Sequence, residues 1–335
     1  MPPTSGSFAL SRIQMFAETT AGTIGACTTL WRGKGALADT RETKFAEETI
    51  GVLVPLDRSY VAKLGGALTM DSIEANFEQL PYILSAGIKD AASVRNGTGS
   101  AYMRNYVFPT TSQHTLKTYT LRGGDDYAAE IMEYCYVDKF TLEGKAGEAW
   151  MVSADWLGRQ VVPTTFTAGV AVPAIEDMMF GKTKIYIDPD SGNFGATQKT
   201  MTLLSAKLDV STGWIPKYTA DGGLYFSFLR STAPDITLEL TFEHDATSVA
   251  EIVAWRAETA RLIRLLVEGS TFTTTGTTYS KKTLIIDLAG KWESINKLDE
   301  QDGNSIRIGT FKGRYNATKG EVGRILVVNA LATLP

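Results

Sequence analysis

Between Ile236 and Glu243 the chain alternates without a slip: Ile236, Leu238, Leu240 and Phe242 are apolar, and Thr237, Glu239, Thr241 and Glu243 between them are polar. Successive side chains of a strand point to opposite faces, so a period of two predicts a half-buried strand with one face in a core. Glu130–Glu143 alternates in the same way, with Met132, Tyr134, Tyr136, Phe140 and Leu142 set against Glu133, Cys135, Lys139, Thr141 and Glu143, and predicts a long strand or a bent pair. Further strands are expected at Ile50–Leu56, Leu116–Arg122, Ala149–Trp156, Lys184–Ile187, Leu203–Val210, Leu224–Leu229, Thr283–Leu288, Ser305–Tyr315 and Gly323–Asn329. Turn signals such as Gly123-Gly124-Asp125 and Asp302-Gly303-Asn304 separate them. With 31 glycines and 41 threonines the composition points the same way, because Thr suits a pleated surface and Gly supplies the turns.

Two stretches read as helices. Ser248 and Glu251 have the spacing of a capping box, and Ile252, Trp255, Thr259, Leu262, Ile263 and Leu266 then follow one face towards Gly269, predicting a helix over 248–268. Asp71 and Glu74 form a second such box, ahead of Ile73, Phe77, Leu80 and Leu84, which predicts a helix over 71–87 with a kink at Pro81. The order of elements occurs twice: a β region, a capped helix, then three strands. Tandem domains account for this better than short stacked repeats. The expected organisation is an N-terminal arm over 1–45, a first β-sandwich domain over 46–165, a linker over 166–180 and a second domain over 181–335.

Composition narrows function mainly by exclusion. A length of 335 residues fits about two domains, and 44% hydrophobic residues are enough to give each a core. Lys and Arg number 33 against 37 Asp and Glu, which is not the basic footprint of a nucleic-acid reader. No apolar run approaches the ~20 residues of a membrane helix, and the first residues lack the pattern of a secretion signal, so neither membrane embedding nor ordinary export is expected. Two cysteines are too few for a disulfide framework or a zinc site.

The motifs that would announce catalysis are absent or fail at a defining position. With only His114 and His244, no histidine-rich metal centre and no H-E-x-x-H can form. Gly181-Lys182-Thr183 ends like a phosphate loop, but position 176 is Glu where that loop requires Gly. Gly33–Ala38 fits a loose dinucleotide fingerprint with no βαβ unit behind it. Asp188–Asn193 and Asp299–Asn304 place Gly at the fifth loop position instead of the sixth of a calcium loop. No catalytic residue, cofactor or metal is therefore expected. Six tryptophans spread through both halves leave a carbohydrate-binding or carbohydrate-cleaving β-sandwich as the alternative reading.

The run Tyr134–Gln160, preceded by Ser112–Arg122, resembles the major tail tube proteins of long-tailed, non-contractile bacteriophages. Glu47–Tyr60 ahead of Met70–Glu74 carries the same resemblance, and Gly320–Asn329 looks like the final strand of that fold. The resemblance implies a β-sandwich with one flanking helix, whose inner sheet joins those of neighbouring subunits into a barrel around a DNA channel, with rings stacked into a tail. It implies a virion structural protein made in the host bacterial cytoplasm, with further copies of itself, a tape-measure protein and tail terminator or tip proteins as partners. Single-domain relatives form hexameric rings, so two tandem copies imply a trimeric, pseudo-hexameric ring; the duplication argues against the related tubes of contractile machines. DNA would pass without specific binding. A lining rich in cations would hold phosphate by counterion release, so Lys and Arg are expected to be scarce there. The polar positions of the alternating strands, Glu133, Thr237, Glu239, Thr241, Glu243 and Asp287, are the channel-lining candidates.

Overall fold

The structure, a computed structural model, describes residues 6–54 and 57–334. It is mainly β, with a large antiparallel sheet system and two α-helices. The first part of the chain carries β1 (Arg12–Ala17), β2 (Thr29–Trp31), β3 (Gly35–Asp39), β4 (Glu42–Phe45), β5 (Ser59–Lys63), β6 (Gly66–Glu74), α1 (Leu80–Gly87), β7 (Val94–Arg95), β8 (Tyr102–Val107), β9 (Tyr119–Gly124), β10 (Ala129–Lys145), β11 (Met151–Gly158) and β12 (Val161–Thr164). The second part carries β13 (Thr183–Pro189), β14 (Gln198–Lys199), β15 (Leu203–Ser211), β16 (Trp214–Lys217), β17 (Phe228–Ser231), β18 (Asp235–Glu243), α2 (Ala246–Arg256), β19 (Arg261–Thr271), β20 (Lys281–Ile295), β21 (Asp299–Gln301), β22 (Asn304–Gly313) and β23 (Gly323–Asn329).

Two long strands organise both parts. The N-terminal portion of β10 pairs with β9 and β12, and its C-terminal portion pairs with β11 and β15. Between the two portions Tyr134 takes φ +53°, a left-handed turn that re-aims the strand. The buried Glu18 carboxylate supports that turn by accepting the Tyr134 N–H at 2.9 Å, with Thr118 Oγ1 and Thr120 Oγ1 at 2.7 and 2.9 Å. β20 is used alike: its N-terminal portion lies between β19 and β23, and its C-terminal portion pairs with β22.

The pairings of β1 with β9, β3 with β6, β6 with β11, and β9, β11 and β12 with β10 recur as β13 with β19, β15 with β18, β18 with β22, and β19, β22 and β23 with β20. A short hairpin interrupts each part at the same place, β4–β5 between β3 and β6, and β16–β17 between β15 and β18. One bulge coincides too, falling between Val137 and Lys139 in β10 and between Trp292 and Ser294 in β20.

The two parts meet edge to edge. β10 pairs with β15 from Lys139↔Ser211 to Lys145↔Ser205, giving one continuous order β3–β6–β11–β10–β15–β18–β22–β20. The second hairpin crosses this joint to lie on the first part. Trp214 Nε1 donates to the Gly87 carbonyl at 2.8 Å, Phe226 packs among Tyr134, Tyr136 and Leu157, and Arg159 donates to the Phe226 and Ser227 carbonyls at 3.0 and 2.9 Å. One hydrophobic core runs through both parts, from Ile13 and Met15 to Ile325 and Val327.

Several sequence expectations are corrected. Asp71–Glu74 is not a helix start but the end of β6, with Ile73 laddered to Val152; the helix begins only at Leu80, where Pro81 sits in the first turn and sacrifices no intrahelical bond. All eight α1 residues are buried, so the helix has no polar face to advertise it. The second helix stops at Arg256, and 261–268 is strand: Leu262, Ile263, Leu265 and Val267 are buried in a ladder with partners on both sides. Its capping box is Asp245 with Ser248, whereas Glu251 is buried and receives Arg261 Nε and Trp292 Nε1. Residues 50–54 of the expected strand Ile50–Leu56 form exposed bends, and its last two residues lie outside the described ones. The strand expected at Leu224–Leu229 falls at Phe228–Ser231. The expected arm over 1–45 instead supplies β1, β2 and β3, with Ile13, Met15 and Trp31 in the core. The expected linker is bound to the fold as well, through bridges at Asp177 and Met179 and the buried Met178 and Phe180.

Candidate functional surface

In the eight-strand order the core-facing side carries residues such as Phe140, Leu142, Leu208, Leu238 and Leu240, all buried. Strand alternation puts their neighbours on the other side. That polar face holds four of the six channel-lining candidates, Thr237, Glu239, Thr241 and Glu243 on β18, with Lys207 and Thr310 directly opposite Glu239 on the flanking strands.

The face carries cations: three of its lysines have a carboxylate beside them, whereas Lys145 and Lys291, on the same face by register, make no ion pair with a described residue. Lys139 Nζ lies 3.0 Å from Asp155, Lys207 lies 3.3 Å from Asp209, and Lys312 pairs with Asp235. Asp155 holds the Lys139 ammonium above its ordinary pKa through a hydrogen bond and its charge. Thr141 Oγ1 donates to Asp209 at 2.6 Å, which aligns the carboxylate between β10 and β15. The surface is therefore rich in alternating charge and hydroxyls, with little net attraction for a polyanion.

The remaining candidates lie elsewhere. Glu133 sits before the turn of β10, buried, with Gln160 Nε2 at 3.0 Å on one oxygen and no partner among the described residues for the other. Burial pushes its carboxyl above the usual carboxylate range, against the hydrogen bond from Gln160. Asp287, in the N-terminal portion of β20, is fully buried and gripped by Arg264 Nε and Nη2 at 2.6 and 2.8 Å and by Arg324 Nε at 3.1 Å. Alternation cannot distinguish a solvated charge from a buried one, whether it is gripped by arginines of neighbouring strands like Asp287 or left with one unpartnered oxygen like Glu133.

Sequence reading also missed Glu18, Arg159 and the lysine–aspartate pairs. Glu18 and Arg159 are single charges in irregular stretches, and the Lys139–Asp155 pair joins two strands. No local pattern signals either arrangement.

Among the described residues no cluster of His, Cys, Asp and Glu could hold a metal ion. Burial and the nearby Lys89 charge lower the pKa of His114, and among the described residues no carboxylate hydrogen-bonds it. Five tryptophans, Trp31, Trp150, Trp156, Trp214 and Trp292, are buried, which removes most of the aromatic platform a sugar-binding surface would use. No protein-family model and no curated protein matches the chain.

Proposed function

We propose that the chain is a structural tail tube subunit: two tandem copies of one β-sandwich fold, three chains to a pseudo-hexameric ring, and rings stacked into the conduit through which a phage ejects DNA. The observation that carries this reading is the repeated pairing order, whose two instances are already joined edge to edge by β10 and β15. A joint that links the first repeat to the second within a chain is suited to link the second to the first of another chain, and repetition of one such head-to-tail contact closes into a ring. The polar face of the joined sheet would line the channel. Lys139, Lys207 and Lys312 on that face, each beside a carboxylate, would let phosphate slide past where free cations would hold it. The tape-measure, terminator and tip proteins named by the resemblance remain the proposed partners, and no enzymatic role is proposed.

The test is electron microscopy of concentrated purified protein and of assembled tails. Rings or tubes with threefold symmetry are the expected result. Six chains per ring would refute the duplication, and a monodisperse monomer that gives signal on a glycan array would favour the carbohydrate reading.

A further inference from the structure

Aligning the repeats by their coincident bulges pairs Val137 with Trp292, Trp156 with Phe311, Leu68 with Leu238, and Leu37 with Leu208. The alignment also matches Glu18 with Asp190, Thr118 with Ala260 and Arg159 with Arg314. Arg159 and Arg314 agree in backbone detail: each follows the last glycine of its strand and donates its N–H back to the long strand, to the Glu133 carbonyl at 3.0 Å and the Ala289 carbonyl at 2.8 Å.

The repeats differ in what covers these positions. In the first, hairpin β16–β17 lies over them and Arg159 caps two of its carbonyls. In the second, the matching positions form an open groove of about 200 Å³ lined by Asp190, Ala260, Lys291, Arg314 and Tyr315. Arg314 is exposed there, and its side chain makes no hydrogen bond to any described residue.

The sheet edges show the same vacancy. The C-terminal portion of β20 is laddered only to β22, and β3 only to β6. Beside β3 rises hairpin β4–β5, the counterpart of β16–β17, with Phe45, Leu53, Val54 and Tyr60 more than half exposed at 63%, 101%, 75% and 56%. Buried ladder groups need partners, and an exposed edge beside an exposed apolar hairpin is a pairing surface.

We infer that a second copy of this chain occupies these vacancies: its β3 edge ladders onto the end of β20, and its β4–β5 hairpin seats in the groove where Arg314 caps the hairpin carbonyls. The contact reproduces between chains what β10, β15, β16–β17 and Arg159 do within one. It rests on the reading of the chain as a ring-forming subunit and adds the residues and register of the contact. Transferring Lys139↔Ser211 by the alignment predicts Ser294↔Thr40. Both residues are exposed, and neither side chain is hydrogen-bonded among the described residues.

The test mixes full-length Ser294→Cys and Thr40→Cys chains under mild oxidation; the native Cys27 and Cys135 are buried and do not compete. A disulfide dimer in the mixture, absent from either variant alone and from a mixture of Thr40→Cys with Thr278→Cys, is the expected result. Adding Arg314→Ala to the Ser294→Cys chain should slow the cross-link about tenfold, through loss of charge-assisted hydrogen bonds. Rings seen by microscopy without the Ser294–Thr40 cross-link overturn this contact and leave the ring reading standing. Neither rings nor cross-link removes both, and equal cross-linking in the control mixture overturns the register.

Discussion

Glu133 shows how one buried oxygen ties stability to pH. Its folded-state pKa is raised, so the folded protein binds this proton more tightly than the unfolded chain does, and the charged form destabilises the fold once pH rises above the ordinary carboxylate range. Glu133→Gln keeps an acceptor for Gln160 and removes the charge. We expect the melting temperature of the variant to exceed that of the parent by about 1–3 °C at pH 7–8, with the difference vanishing below about pH 4. Calorimetry across that range checks it, and a difference independent of pH would mean that packing, not charge, separates the two. A single sequence shows only an acid between Met132 and Tyr134; that it is buried follows from Gln160 and the β10 turn, which alternation does not encode.

Among the elements, α2 and β19 show best what could and could not be read. β18 was legible because one face is core and the other is not, so the period of two survives in the sequence. β19 buries Leu262 and Ile263 in succession and places Leu266 between Arg264 and Glu268 on its other side, so its alternation is broken often enough that a helical spacing fits the same residues. The boundary is instead set by Glu258, which takes φ +52° as its N–H and that of Thr259 close back on Trp255 and Ala254. This is the helix-ending turn that normally selects glycine. Glu258→Gly should accordingly stabilise the protein by about 0.5–1 kcal/mol in denaturant unfolding, against the usual direction for a glycine substitution. A loss of stability would show that the Glu258 side chain contributes contacts outweighing its backbone strain.

For the molecule as a whole, the β-rich class was legible, and the β18 part of the polar face with it; the repeat was expected on helices over 71–87 and 248–268 that are partly strand, so its elements do not correspond as read. The joint between the two parts was not legible, because β10 and β15 find each other across a stretch of chain as long as that from Lys145 to Ser205 or longer. The lysine–aspartate pairs on that face give a test of the channel reading. Exposed ion pairs contribute little to folding, within about 1 kcal/mol, so Asp155→Asn with Asp209→Asn should leave assembly intact while freeing Lys139 and Lys207. DNA ejection from particles carrying this double variant should then slow at low ionic strength and recover as salt rises. Ejection at the parental rate at every salt concentration would place this face outside the channel or make its charge irrelevant.

The in-chain ladder of β10 with β15 also bears on how assembly responds to dilution. In the proposed ring every second joint is of this kind, closed when the chain folds and independent of protein concentration. Only three joints remain to be made between molecules, so ring formation should rise with about the third power of monomer concentration, where six separate single-repeat subunits would show about the sixth. Tethering the repeats supplies the partner at a high effective concentration for half the contacts. The tube can therefore nucleate from a sparser pool of subunits, while each free chain still shows only one open edge of each kind.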